Sequence, residues 1–287
     1  MGVYAVTGAA SGMGSAVAAR LRAEGHQVIG IDIREADIVA DLSVPEGRRH
    51  AAQAVLDRVE GHLDGAVLAA GLGPRPGFAH VPTILSVNYF GVTDLLNAWR
   101  PALETAGNAK VVVVGSNSTT TMPMIPQRAV RALLRNDLER ATRTMRWFGP
   151  VAPSIAYGTS KMALTRWVRR TAVQAHWAGA GIRLNAIAPG AVDTPLLRQQ
   201  LDDPREAKAV RAFPVPVGHY GSPTDLGAWM AFMLSDAADF ICGSVIVVDG
   251  GTDAYYRADA WPRRVPTTGL PRYLWRTAVF ARRRSAS

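Results

Sequence analysis

Two hydrophobic patterns alternate along this chain. Short apolar runs occur at residues 3–7, 27–32, 37–42, 63–71, 110–115, 182–188 and 244–249. Runs with few polar breaks suit strands buried on both faces, as in a parallel sheet covered by helices. Between them, apolar residues recur at spacings of three and four, the period of a helix with one buried face. Such segments cover 16–25, 45–60, 83–104, 126–149, 157–178 and 224–234. Seven strands with intervening helices predict an α/β protein with a doubly wound, seven-stranded parallel sheet. One domain is expected over 1–251, with a helical insertion at about 117–153 and an extension over 252–287.

The insertion carries Val130, Leu133, Leu134, Leu138, Ala141, Met145 and Phe148 at helical spacing, which predicts one amphipathic helix between Pro126 and Gly149. Its apolar face needs a partner. Two readings stand: it roofs an active-site mouth, or it packs at a subunit interface. Residues 72–82, rich in Pro and Gly, form a surface loop, and 191–213 is a candidate lid.

At 287 residues and 48% hydrophobic, the chain is long enough to bury one large core. No apolar run reaches the ~20 residues that span a bilayer, and the start lacks the pattern of a secretion signal, so a soluble cytoplasmic protein is expected. A single cysteine, Cys242, excludes an internal disulfide and is expected as a small core residue. Six scattered histidines give no support for a metal site. The net charge of +9 is concentrated: residues 252–287 hold eight Arg and two Asp, or +6. The body shows no basic stripe with interleaved aromatics, so no nucleic-acid partner is expected. Within the extension, Leu274, Trp275, Val279 and Phe280 lie among Arg272, Arg276 and Arg282 to Arg284. A solvated tail is the plainer reading, and a basic amphipathic helix touching an anionic membrane or a partner is the other.

Candidate chemistry sits at the ends of the expected strands. The first runs into Thr7-Gly8-Ala-Ala-Ser11-Gly12-Met13-Gly14, whose glycines let backbone approach a pyrophosphate at a helix start. The second ends in Asp32, placed to accept hydrogen bonds from an adenosine ribose and to repel a 2′-phosphate. That favours NAD, while Arg34 keeps NADP open. Ala70 and Gly71 close the fourth run, Ser116 the fifth, and Pro189-Gly190 the sixth. Asn88 and Gly91 stand inside a helical pattern, where Asn hydrogen-bonds locally and bends a helix or serves the chemistry. Tyr157 and Lys161, four residues apart on one helix face, form an acid–base candidate, because a neighbouring cation lowers a phenol's pKa from about 10.

Across 1–251 these motifs, with Asn185 and Asp249-Gly-Gly, resemble the short-chain dehydrogenase/reductase family in content and order. Gly30-Ile-Asp-Ile-Arg34, Asp41-Leu-Ser, the long gap before Tyr157 and Thr194-Pro-Leu-Leu are similar to the bacterial 3α-hydroxysteroid dehydrogenase/carbonyl reductase subgroup. The resemblance implies a Rossmann-type fold and an NAD-dependent oxidoreductase acting on a hydrophobic secondary alcohol or ketone. It implies Tyr157 as the proton carrier and Ser116 as the group orienting the substrate oxygen, with Ser118 a nearby rival. Lys161 lowers the Tyr157 pKa and holds the nicotinamide ribose, and Asn88 positions a relay water. Asp32 holds the adenosine ribose, Asp41 and Leu42 the adenine, and Thr194 the carboxamide. A homodimer or homotetramer is also implied. The alternatives are a 3-oxoacyl-thioester reductase and a non-catalytic nicotinamide-sensing protein that uses its tail for a partner or membrane.

Overall fold

The computed structural model describes residues 1–202, 204–261, 268 and 270–284. It divides into two compact units, Met1–Asp253 and Ala254–Ser287.

The first unit is built on strands β1 (Val3–Thr7), β2 (Gln27–Asp32), β3 (Ile38–Val39), β4 (Gly65–Leu68), β5 (Lys110–Val114), β6 (Arg183–Pro189) and β7 (Val245–Val248). They form one seven-stranded parallel sheet, as the alternating pattern predicts, in the order β3-β2-β1-β4-β5-β6-β7. The order reverses between β1 and β4, and ligands of such sheets bind where that reversal opens a crevice at the strand carboxyl ends.

Helices α1 (Gly12–Ala23), α2 (Pro45–Val59), α3 (Val81–Leu85) and α4 (Gly91–Thr105) precede the insertion, which opens with the short α5 (Ser118–Thr121). The insertion continues with α6 (Gln127–Leu133) and α7 (Leu138–Met145), and α8 (Ala152–Thr171), α9 (Pro195–Asp202), α10 (Pro204–Ala212) and α11 (Pro223–Leu234) follow. Alternate strand residues feed separate cores. Ala5, Ala66, Val111 and Val113 pack toward the face that holds α2, α4 and α8. Val6, Val67, Val112 and Val114 pack toward α1 and α11. Both faces are buried, so the central strands carry runs of consecutive apolar residues, such as Val111 to Val114 in β5.

Several elements differ from the sequence expectation. β3 is only two residues long, and β7 is a half-exposed edge strand with Val247 41% exposed, not a buried one. α8 stops at Thr171, and 172–181 fold into successive turns that bury Trp177. The expected single insertion helix is two. Asn136 takes a left-handed conformation (φ 60°), and the Asp137 carboxylate caps α7 by accepting the Arg140 N–H at 2.8 Å. Both pieces keep one apolar face: Val130, Leu133, Ala141 and Met145 are fully buried, and α6 and α7 pack on α8 and α3. That face is consumed within the chain, so it is neither a roof over the site nor free for a subunit interface. The expected long helix at 83–104 carries a π-turn, Ser86–Phe90, centred on Asn88.

The second unit contains most of α12 (Thr252–Arg257), whose first two residues belong to the first unit, and all of α13 (Leu270–Arg284). The side chains of Phe280 and Arg282 to Arg284 lie outside the described ones. No helix among the described residues is long and apolar enough to cross a membrane.

Candidate active site

The turn after β1 lies against the end of β4: the Thr7 hydroxyl accepts the Ala70 N–H at 3.1 Å. Gly14 opens α1 so close to this turn that a Cβ there would collide with the Gly8 carbonyl oxygen. Gly8, Ser11, Gly12, Met13 and Gly14 therefore present backbone to a cavity of about 440 Å³. Asp32 lines the same cavity. Its carboxylate accepts N–H groups from Ala10 (3.0 Å) and Ile33 (2.7 Å), which hold it at the cleft while lone pairs remain for a ligand hydroxyl. Arg34 and Arg75 also border this end.

Asp41, Leu42 and Ser43 also line this cavity, held by an arrangement that sequence reasoning missed. Arg48, 7% exposed, donates to Asp94 Oδ2 (2.7 Å), to the Leu42 carbonyl (3.1 Å) and to Ser86 Oγ (3.0 Å). Ser86 Oγ in turn donates to the Ser43 carbonyl at 2.6 Å. One buried guanidinium thus ties the loop to the helix that carries Asn88. A basic residue in a polar helix gave no local sign of this.

Asn88 is fully buried, and its amide pairs with one residue as a strand would. Its Oδ1 accepts the Leu72 N–H (2.8 Å), and its Nδ2 donates to the Leu72 carbonyl (2.9 Å). The other Nδ2 hydrogen points to Ser160 Oγ at 3.2 Å. Both amide hydrogens have protein partners, which narrows any water contact of this residue to its carbonyl oxygens. Ser160 was not singled out from the sequence. It donates to the Tyr157 carbonyl at 2.7 Å and so joins the π-turn to α8 between Tyr157 and Lys161. Its only sequence sign is its position three residues after Tyr157.

Ser116, Tyr157 and Lys161 come together as the spacing predicts, in the wall of a second cavity of about 540 Å³. Ser116 lies just past β5, and its Oγ accepts the Ser118 N–H at 3.1 Å, which directs its own proton elsewhere. Ser116 is also the polar neighbour that acts on the Tyr157 hydroxyl. Burial of that hydroxyl pushes the phenol's pKa up, and Ser116 offsets only part of the rise. The expected lowering by Lys161 is therefore not the governing effect in this structure. The Lys161 ammonium donates to the Val114 carbonyl at 2.8 Å, and burial lowers its pKa to about 8.

Thr194, Gly71 and Leu72 line both cavities, so the two meet at the end of β4. Pro189 and Gly190 line the second cavity. They are braced from behind: Asp249 Oδ2 accepts from Asn117 Nδ2 (3.1 Å), and Asn117 N–H donates to the Pro189 carbonyl (2.9 Å). Asn185 sits elsewhere, clamping the entry to β7 through Ile241 O (2.7 Å) and Ser244 N (2.9 Å). Cys242 is half-buried against Ala172, with its Sγ 3.4 Å from that carbonyl. The second cavity's apolar wall comes from Met122, Pro123, Leu196, Leu197, Val210 and Phe213. The lid at 191–213 thus contributes as expected, whereas α6 and α7 do not; only the residues leading into them reach the cavity. The Ser118 hydroxyl also lies here, buried and without a hydrogen-bond partner.

Sequence comparison agrees with this geometry. Residues 2–129 match the family model described as short chain dehydrogenase, and 149–253 match one described as enoyl-(acyl carrier protein) reductase. The unmatched stretch between them covers most of α6 and α7. The chain belongs to the short-chain dehydrogenase/reductase family and is an oxidoreductase of CH–OH groups. It is 40% identical over 257 residues to a 3-alpha-hydroxysteroid dehydrogenase/carbonyl reductase of Comamonas testosteroni, covering 90% of this chain and 98% of that protein. A cis-4-hydroxycyclohexanecarboxylate dehydrogenase of Sinomonas cyclohexanicum is 30% identical, over 88% and 96% of the two chains. Among solved structures, the 3-alpha-hydroxysteroid dehydrogenase of Pseudomonas sp. B-0831, complexed with NADH, superposes with a TM-score of 0.84. It is 44% identical and covers 90% of this chain and 100% of that one.

Proposed function

We propose that this chain is a cytoplasmic NAD-dependent oxidoreductase that interconverts a hydrophobic, uncharged ring alcohol and its ketone, of the hydroxysteroid class. The observation that carries this reading is the second cavity. It joins an apolar wall to Ser116 and Tyr157, and Lys161 is the only ionised side chain among its described lining residues. An acyl-thioester on an acidic carrier, or a carboxylate substrate, finds no further counter-charge there. The 40% and 44% identical relatives named for 3α-hydroxysteroids support the same class.

The residues present fit a dinucleotide. The Gly8–Gly14 turn presents backbone, Asp32 presents a carboxylate, and Asp41, Leu42, Ala70, Gly71, Pro189, Gly190 and Thr194 line the two adjoining cavities. The Asp32 carboxylate favours a free ribose hydroxyl over a 2′-phosphate, hence NAD over NADP. When bound, NAD supplies the hydride acceptor for the alcohol and NADH the hydride donor for the ketone. Tyr157 carries the proton: its phenol gives it to the ketone oxygen, and its phenolate takes it from the alcohol. Ser116 holds the same oxygen by a hydrogen bond. Lys161 holds the nicotinamide ribose, and its charge supports the phenolate when that forms. Asn88 fixes the loop after β4 and offers a carbonyl oxygen to a relay water. The raised Tyr157 pKa keeps the phenol protonated, so ketone reduction proceeds at neutral pH and alcohol oxidation needs a more alkaline optimum.

Steady-state kinetics with hydroxysteroids, simple cyclic alcohols, a 3-oxoacyl thioester and both nicotinamides tests this reading. The expected result is turnover of 3α-hydroxysteroids with NAD favoured at least a hundredfold over NADP. Preference for NADPH with the thioester would contradict it.

A homo-oligomer is also proposed. Trp229 and Phe232 on α11 are each 44% exposed and stack edge to face at 6.1 Å, beside the exposed edge strand β7. Light scattering is expected to give a dimer or tetramer, and a monomer at micromolar concentration would contradict this.

A further inference from the structure

The arginine-rich extension folds as a helix whose first two turns carry two faces that differ in kind. Leu270 and Leu274 stand one turn apart on α13 and share a face. Arg272 and Arg276 follow each by two residues, about 200° around the axis at 3.6 residues per turn, and so share the opposite face. Trp275 falls between the two stripes. All three apolar side chains are more than half exposed: Leu270 at 54%, Leu274 at 57% and Trp275 at 63%. Pro271 sits in the first turn, where its missing N–H is no loss.

The extension also lies outside the enzyme domain by comparison. The family models end at residue 253, and 90% of this chain accounts for the whole of the Pseudomonas structure. Residues 252–287 carry eight Arg, no Lys and no acidic residue other than Asp253 and Asp259.

We propose that α13 binds the surface of an anionic phospholipid bilayer, with Leu270 and Leu274 in the acyl boundary, Trp275 at the headgroup level and Arg272 and Arg276 on lipid phosphates. A helix lying in the interface plane needs this combination of an apolar face, a basic face and an aromatic flank. Charge decides the occupant. A second copy of the helix would cover the leucines but leave the arginines on the far face without a counter-charge, and a nucleic acid would satisfy the arginines while leaving the leucines in water. An anionic bilayer satisfies both faces, and each arginine adds to the attraction of such a surface. A surface-bound enzyme would also stand where apolar ring alcohols partition, although the proposal does not depend on that substrate.

Flotation of the full chain with vesicles tests it, using phosphatidylcholine alone and phosphatidylcholine mixed equally with phosphatidylglycerol, at low and high salt. The expected result is flotation with the anionic vesicles only, weakened by salt. Arg272→Glu/Arg276→Glu should lower the partition constant at least tenfold, and Leu270→Asp/Leu274→Asp should lower it comparably. Circular dichroism and thermal unfolding of each variant should stay as in the parent chain, because these residues lie outside the domain. The proposal is overturned if the parent chain stays in solution, binds neutral vesicles equally well, or binds as tightly when either pair is changed. Salt-sensitive binding to duplex DNA without vesicle binding would also overturn it and assign the arginines to nucleic acid.

Discussion

The two cavities that meet beside Gly71 are built from different materials. The one at the β1–β4 crevice is walled in part by the turn after β1 and by Ala69–Leu72, whose glycines offer only backbone, with Asp32 and the Asp41–Ser43 loop also on its wall. The other is walled by side chains from segments more than 100 residues apart: Leu72, Met122, Tyr157, Leu197 and Phe213. A backbone-lined site binds what all members of a fold share and tolerates little change. A side-chain-lined site can be re-shaped residue by residue while the chemistry beside it stays in place.

The largest effect should come from the backbone-lined side. Gly14→Ala places a methyl group against the Gly8 carbonyl and is expected to abolish NAD binding or folding, as read by cofactor titration and thermal unfolding. Retained binding within tenfold would show that the turn is more plastic than its packing implies. Next comes Ser116→Ala, in the wall of the second cavity. Removing one positioned hydrogen-bond donor is expected to lower kcat by ~10²–10³ with little change in cofactor affinity. A loss confined to cofactor affinity would move Ser116 to the other cavity.

Lys161→Met tests whether that wall is dry. With a pKa lowered from 10.5 to about 8 by burial, Lys161 penalises the folded state in full below pH 8, where both states bind the proton. Between about 8 and 10.5 the unfolded chain binds more protons, so stability should rise with pH; above both values the penalty is gone. The shift corresponds to at most about 3 kcal/mol. Denaturant titrations over that range should show the rise in the parent chain and its absence in the variant. Equal slopes would mean that the ammonium is solvated.

The smallest effect belongs to the side-chain-lined cavity. A methyl group on Gly158 would meet the Met122 sulfur at 2.5 Å, and a flexible side chain yields more readily than backbone. Gly158→Ala should therefore push Met122 into the cavity and raise KM for ring-sized substrates about tenfold. The NAD Kd should hold, and Gly158→Ala/Met122→Ala should reverse the change. An altered NAD Kd would erase the distinction between the cavities.

The same distinction explains what could be read from the sequence. Gly8 to Gly14, Asp32, Ser116 and the Tyr157–Lys161 pair are legible because local rules govern them: a tight turn, a strand end, one helix face. Asn88 was visible as an amide out of place in a helix, but its pairing with Leu72 was not. Ser160, the Arg48 network and Met122 depend on contacts across tens of residues, to which local periodicity is blind. The break at Asn136 escaped because the apolar spacing continues through it, both helices turning the same face to the core. The direction of the Tyr157 shift escaped for a related reason, since a charge four residues away is visible in sequence while burial is not. The seven strands followed from the pattern, because apolar runs buried on both faces announce themselves, whereas their order in the sheet comes from the structure.

The most direct test of the central claim follows the reduced-nicotinamide absorbance of NAD mixed with a 3α-hydroxysteroid, for the parent chain and for Tyr157→Phe, with NAD affinity measured in parallel. The account predicts turnover in the parent, a loss of ~10²–10⁴ in kcat in the variant and unchanged NAD affinity. Turnover that survives in Tyr157→Phe, or NAD binding with no oxidation of any ring alcohol by the parent, would contradict it.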